Sequence, residues 1–266
     1  MTSTPPIAKV YDPKAWGARC DECVLQGSIP VAPHLVTGAE AIIVGESPGT
    51  TDVEKNTPFA GRSSMILEAA LTAANKPRTT LSLTNATVCR PADNDLKAAV
   101  RKVRAHNERA KETNRERKRE NKQRRRLGQP LLDLEKMKPT PQDCCRPRLL
   151  RELGMHDNVI AMGKVPNTVL TGSVAGAQTI RGSMQDLTLD MPDGGRKTFK
   201  YLATLPPWQV LQQGRWKGPF VHDVMKAFRF FRGQLRWETP ATVYHPRAHQ
   251  LEQILFGDGI EISVSL

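Results

Sequence analysis

The stretch Ala41-Ile42-Ile43-Val44-Gly45-Glu46-Ser47-Pro48-Gly49 limits what this chain can fold into more than any other. Four small or branched apolar residues in succession predict a short strand buried on both faces, and Gly45 ends it. Pro48 and Gly49 predict a tight turn in which backbone can come close to a ligand. Glu46 then falls at the carboxyl end of the strand, the edge where open α/β sheets gather their chemistry. Beyond Pro58-Phe59-Ala60-Gly61, residues 63–75 read as a capped amphipathic helix. A strand, a turn bearing a carboxylate and a loop aromatic ahead of a helix make a candidate pocket.

The same texture recurs along the chain. Leu81, Leu83 and Ala86 frame a second strand that delivers Asn85 and then Cys89-Arg90-Pro91 to its carboxyl end. Val159–Gly163 predicts a third strand, and Val165–Leu170 starts the helix after it. A short helix opens at Cys145-Arg146-Pro147 and runs to Leu153. Residues 180–200 alternate and carry Asp193-Gly194-Gly195, a hairpin signal. Tyr201–Leu205 predicts a fourth strand ending at Pro206-Pro207-Trp208, and a helix follows near Phe220–Phe231. Strands alternating with helices predict an α/β fold with a central four-stranded, mainly parallel sheet covered on both faces. The 266 residues suffice for one such domain, 1–237, with a tail, 238–266, in which Thr239-Pro240 reads as a linker before a helix near 247–255 and a terminal strand.

The net charge of +12 is concentrated rather than spread. Residues 97–126 hold fourteen of the 39 Lys/Arg and four of the 27 Asp/Glu, so this segment alone carries +10. Without Gly or Pro, it predicts one helix of about 45 Å inserted between Cys89 and Cys145. Glu108, Glu112, Glu116 and Glu120 recur every four residues among the bases, and no apolar stripe is evident. Arg101, Lys102, Arg115, Lys118, Arg119, Lys122, Arg124, Arg125 and Arg126 are its candidate phosphate contacts. So basic a segment, with almost no large apolar side chain, points to nucleic acid rather than a membrane surface. No stretch reaches the length of a membrane span, and residues 1–6 lack the plan of a secretion signal, which predicts a cytoplasmic location.

In that compartment the five cysteines read as thiols or metal ligands. Cys20 and Cys23 form a CxxC. Cys89 and Cys145 are each followed by Arg-Pro, a repeated context that sets Cys145 ahead of its neighbour Cys144 as the fourth ligand. Four thiolates without histidine suit either zinc or an iron–sulfur cluster, and spacing does not choose between them.

Taken together, these motifs resemble the family 4, iron–sulfur type of uracil-DNA glycosylase, especially the version fused to the front of some phage family A DNA polymerases. The resemblance rests on Cys20-x-x-Cys23, Gly45-Glu46-Ser47-Pro48-Gly49, Pro58-Phe59-Ala60-Gly61, Thr84-Asn85, Cys89-Arg90-Pro91, Cys145-Arg146-Pro147 and Ala161-Met162-Gly163. It extends through Arg181-Gly182 to Phe231. It implies a three-layer α/β/α sandwich in which Cys20, Cys23, Cys89 and Cys145 hold a structural 4Fe-4S cluster. Phe59 would stack on a flipped uracil, Asn85 would pair with its edge, and Gly45, Ser47, Pro48 and Gly49 would line the pocket. Glu46 would position water or steady the cationic sugar. DNA, single-stranded or containing uracil, is the implied partner, with a phage DNA polymerase or other replication proteins beside it.

Between Cys89 and Cys145 most members of that family are short, where this chain carries residues 97–126, and a second departure bears on the chemistry. Where the family carries His-Pro after its fourth strand, with the histidine steadying the departing base, this sequence has Pro206-Pro207. Proline offers no donor. Tyr244-His245-Pro246 resembles the missing pair but follows the last matched helix. His106, the insertion's histidine, lacks the Lys-Arg-Arg-Ile-His context of the covalent-trapping relatives. Two functions therefore stay open: a glycosylase, or a non-catalytic DNA-binding and docking module for a polymerase.

Overall fold

A computed structural model of the chain describes residues 11–235. The predicted linker, tail helix, terminal strand and His245 lie outside the described residues. Five strands form one sheet in the order β2-β1-β3-β5-β4, where β1 is Ile42–Gly45, β2 Ser82–Asn85, β3 Asn158–Met162, β4 Met184–Asp190 and β5 Arg196–Thr204. The first four in that order run parallel; β4 pairs antiparallel with β5 at the edge. The sheet thus has one strand more than the four expected. The alternating stretch before Tyr201 and the fourth predicted strand are a single nine-residue strand, and the turn at Asp193-Gly194 folds β4 back along it.

Successive residues of the central strands point to opposite faces, and both faces are dry. Ile43, Leu83, Ile160 and Leu202 pack under α2 (Ser64–Ala73) and α8 (Lys217–Phe231) through Leu67, Leu71, Phe220 and Phe228. Ile42, Val44, Val159, Ala161 and Tyr201 pack under α4 (Pro141–Leu153) and α5 (Lys164–Thr171) through Leu149, Leu153 and Leu170. The result is the three-layer sandwich. Short helices α1 (Thr50–Glu54), α6 (Ala177–Ile180) and α7 (Pro207–Gln212) fill the connections.

Two local predictions shift. The helix around Cys145 begins four residues earlier, at Pro141, because Thr140 and Asp143 cap each other's backbone N–H groups. Pro147 therefore sits inside the helix, where it cannot bond the carbonyl of Asp143; the Arg19 guanidinium takes that carbonyl instead, at 3.3 Å. Ser63 makes no side-chain cap for α2. The basic segment forms α3, Leu96–Arg126, a helix of 31 residues whose N-cap is Asp95. No helix among the described residues is long and apolar enough to cross a membrane.

Candidate functional site

From β1 the chain crosses to β2 on one side and, later, β3 lies on the other, so the carboxyl ends of β1 and β3 part at a topological switch point. A cleft of about 580 Å³ opens there. Every parallel strand contributes to it: Gly45 and Glu46 from β1, Asn85 from β2, Met162 from β3, and Pro206 just past β5. Ser47, Pro48, Gly49 and Phe59 line it as well, so all the predicted pocket residues meet in one place.

The close approach turns on Gly45 rather than Gly49. A Cβ on Gly45 would lie 2.3 Å from the Asn85 Oδ1 and 2.7 Å from the Phe59 ring, so only glycine lets that amide and that ring meet over the backbone. Gly49, with φ of −90° and only an ordinary 3.9 Å contact between a Cβ built there and the Asp52 carboxylate, uses none of glycine's freedom. Phe59 itself has φ of +56°, an unusual state for an aromatic residue that its neighbours must impose. Asp52 and Arg78 do so. One Asp52 oxygen accepts the N–H of Gly49 (2.9 Å) and the other that of Ala60 (2.6 Å), tying the two loops to one buried carboxylate. Arg78 donates to the carbonyls of Pro58 and Phe59 at 2.5 and 3.1 Å and pairs with Glu68.

Asn85 is held from behind. The buried Arg148 guanidinium donates to the Asn85 carbonyl at 2.6 Å and to both oxygens of the equally buried Glu152 at 2.6 Å. Glu152 also accepts from Thr84 and Tyr11. Across the cleft, Arg181 and Thr204 both donate to the buried Asp223, fixing the end of β5 just before Pro206. Asp52, Arg78, Arg148, Glu152, Arg181 and Asp223 are not among the candidate site residues of the sequence. Arg181 and Asp223 fall within the stretch that carries the family resemblance, and Asp52 has a faint signal of its own as an acid three residues past a glycine at a helix start.

Burial raises the Glu46 pKa above its ordinary value; nearby Lys97 opposes that shift and Asp95 adds to it. Asp95, Leu96 and Lys97, the root of α3, line the same cleft. Pro206 brings only carbon to the cleft, as its sequence implies. Its Cβ would sit 3.2 Å from a Cβ built on Gly163, whose φ is +107°. Within α3, Arg101, Lys102, Arg115, Lys118, Arg119, Lys122, Arg125 and Arg126 are exposed. Arg101 pairs with Asp95, and Arg124 turns inward to Glu120 and the Pro130 carbonyl, so Arg124 does not present a free charge.

A second cavity, of about 430 Å³, is lined by all five cysteines. Burial and then the neighbouring thiols push Cys89 up to about 12; among those thiols Cys145 has the largest effect, ahead of Cys20 and Cys23. Cys20 is raised in the same way, by burial and then by Cys145 and Cys23. Cys144 instead hydrogen-bonds to Cys23, which lowers the Cys23 thiol to about 7. Among the described residues no three potential ligands stand close enough to hold one metal ion. Cys20, Cys23, Cys89 and Cys145 line one cavity, a set of soft sulfur donors that suits zinc or an iron–sulfur cluster alike.

A family model, the uracil DNA glycosylase superfamily, matches residues 33–229. The chain belongs to that superfamily. Among curated relatives, a type-4 uracil-DNA glycosylase of Pyrobaculum aerophilum is 33% identical over 79 residues, which cover 28% of this chain and 39% of that protein. The chain therefore spans well under half of the relative it matches. The fold expected from the resemblance and the superfamily both stand.

Proposed function

We propose that this protein binds DNA and receives an extruded uracil in the cleft at the switch point. The convergence of the Phe59 ring and the Asn85 amide over Gly45 carries this reading. An aromatic face stacks on a base, and an amide offers one donor and one acceptor, which is what the edge of uracil requires. Arg148 steadies the Asn85 backbone and Asp52 the Phe59 loop, so the recognition pair is preorganised.

Hydrolysis would add a water oxygen to the sugar C1′ as the N-glycosidic bond breaks, with the electron pair leaving on the uracil ring. Glu46, at the cleft, would orient that water, and the charge of Lys97 favours its ionised form against the effect of burial. No donor stands at Pro206 to meet the charge on the departing base, and losing one such donor costs about 100- to 1000-fold in rate. That observation favours the second reading, a recognition or docking module working with a phage-type DNA polymerase in the cytoplasm. Cys20, Cys23, Cys89 and Cys145 would hold a 4Fe-4S cluster, whose contribution when bound is structural: it pins the segments around Cys20 and Cys89 beside the root of α3. The likeness to a type-4 glycosylase and the meeting of all four thiols on one cavity support this reading.

Purified protein incubated with single-stranded DNA containing one uracil should yield alkali-labile sites, and Asn85→Ala should abolish them. Binding selective for uracil over thymine without cleavage identifies the module. Equal affinity for uracil and thymine DNA, with no cleavage, sinks both readings of the cleft.

A further inference from the structure

Helix α3 has two unlike faces. Asn107, Asn114 and Asn121, seven residues apart, each use a side-chain amide to bond both backbone groups of one residue in the returning segment 130–138. Asn121 takes the N–H and C=O of Leu132 at 2.7 and 2.8 Å, Asn114 those of Glu135 at 2.7 and 2.9 Å, and Asn107 those of Lys138 at 2.8 and 2.9 Å. Seven helical residues rise about 10.5 Å. Three residues of extended polyproline-type chain rise about 9.3 Å. The two periods agree, so the segment lies antiparallel along the helix like a strap. A second row reinforces it: Arg124, Arg117 and His106 meet the carbonyls of Pro130, Asp133 and Lys136 at 3.3, 2.7 and 3.5 Å.

This clasp fixes which way the rest of α3 faces. Arg104, Lys111, Arg115, Lys118, Lys122 and Arg126 follow one another at steps of seven, four, three, four and four residues. At about 100° per residue they fall within an arc of roughly 80°. All six are exposed, and only Lys111 has a carboxylate partner among the described residues. The helix is anchored at its other end: Leu96 and Ala99 pack on Leu25 beside Cys23 and Cys89, while Asp95, Leu96 and Lys97 border the cleft. A helix kept only for solubility needs neither a backbone clasp nor a root between two functional cavities.

We propose that α3 and its strap form a rigid splint for duplex DNA lying to one side of the nucleotide in the cleft. From Lys97 to Arg126 the splint is about 45 Å long. At 3.4 Å per base pair, that matches about 13 base pairs of flank. A straight row of charges suits a stiff duplex, whose phosphates are denser along the axis than those of a flexible single strand. This inference rests on the reading that the cleft takes a nucleotide of DNA, and it adds the substrate form: uracil near a long double-stranded flank on one defined side.

The test measures fluorescence anisotropy with the full chain and duplexes holding one uracil, with flanks of 4 or 15 base pairs on either side. Lengthening one flank should tighten binding at least tenfold and level off near 13 base pairs; lengthening the other should change little. The triple variant Arg115→Glu, Lys118→Glu, Lys122→Glu should remove the flank effect, leave short-flank binding in place and flatten the log–log salt slope by about 3. Asn114→Ala with Asn121→Ala keeps every charge but should blunt the levelling-off. Equal gains from both flanks, equal gains from a single-stranded flank, or equal losses on short and long duplexes in the triple variant would overturn the splint. Matched duplexes with thymine for uracil separate the two claims. If uracil and thymine bind alike while length still matters, the cleft reading fails and the arm keeps its affinity for duplex.

Discussion

If the cleft takes uracil as proposed, placing a donor at position 206 should raise the rate of excision. The backbone there has φ of −75° and ψ of 139°, an extended conformation open to any residue, so Pro206→His needs no rearrangement of the chain. The new side chain would leave a Cα that already faces the cleft, with Arg181, Thr204 and Asp223 holding the end of β5 behind it. Loss of proline's rigidity should lower stability by about 0.4–1 kcal/mol. In a chain of this size that is a fall of a few degrees in Tm. Against it stands the stabilisation of negative charge on the departing uracil, about 2.7–4 kcal/mol at the transition state, or roughly 100- to 1000-fold in rate. Single-turnover excision from uracil-containing single-stranded DNA, read as alkali-labile ends on a gel, measures the gain directly. Adding Asn85→Ala to the same chain should erase it, which excludes a contaminating enzyme. A folded Pro206→His protein that binds uracil DNA but cleaves no faster than its parent would refute the idea that this one missing donor limits the chemistry.

Three further outcomes follow from the geometry. Arg148→Met leaves the fully buried Glu152 carboxylate unpaired and should cost about 3–5 kcal/mol in urea unfolding, whereas Arg148→Met with Glu152→Leu should recover most of it; equal losses in the two would contradict the pairing argument. Because burial holds the Glu46 pKa above its unfolded value of 4.5, its ionisation weakens the fold as pH rises through the folded value. Glu46→Gln should therefore raise Tm at pH 7–8, with the difference vanishing near pH 4, while lowering any excision rate; a Tm gain that persists at pH 4 points to some other cause. Cys145→Ser should abolish visible absorption in anaerobically purified protein and Cys144→Ser should largely preserve it, and the reverse result would exchange their roles.

What could be read in the sequence is what acts locally. Ala41–Val44 and Val159–Met162 are apolar runs too short for helices, so they announced central strands, and each strand end then supplied a cleft residue. The α3 boundaries were legible to within a residue, because helix formers without Gly or Pro leave few alternatives. The residues that hold the cleft's loops act across long stretches of chain. Arg148 reaches Asn85 over 63 positions and Arg181 reaches Asp223 over 42, distances at which no periodicity survives. The asparagine row was hidden for a different reason. Periodicity is ordinarily sought in apolar residues, and in α3 the repeat of seven lies in polar ones whose partner is bare backbone. A heptad of asparagines is costly on a solvated helix, since asparagine is a weaker helix former than the lysine or glutamate around it. Three placed in register therefore imply a backbone to receive them. The strap then explains how a segment with a net charge of +10 and hardly any core of its own holds a single orientation, which a contact surface for a stiff polyanion requires.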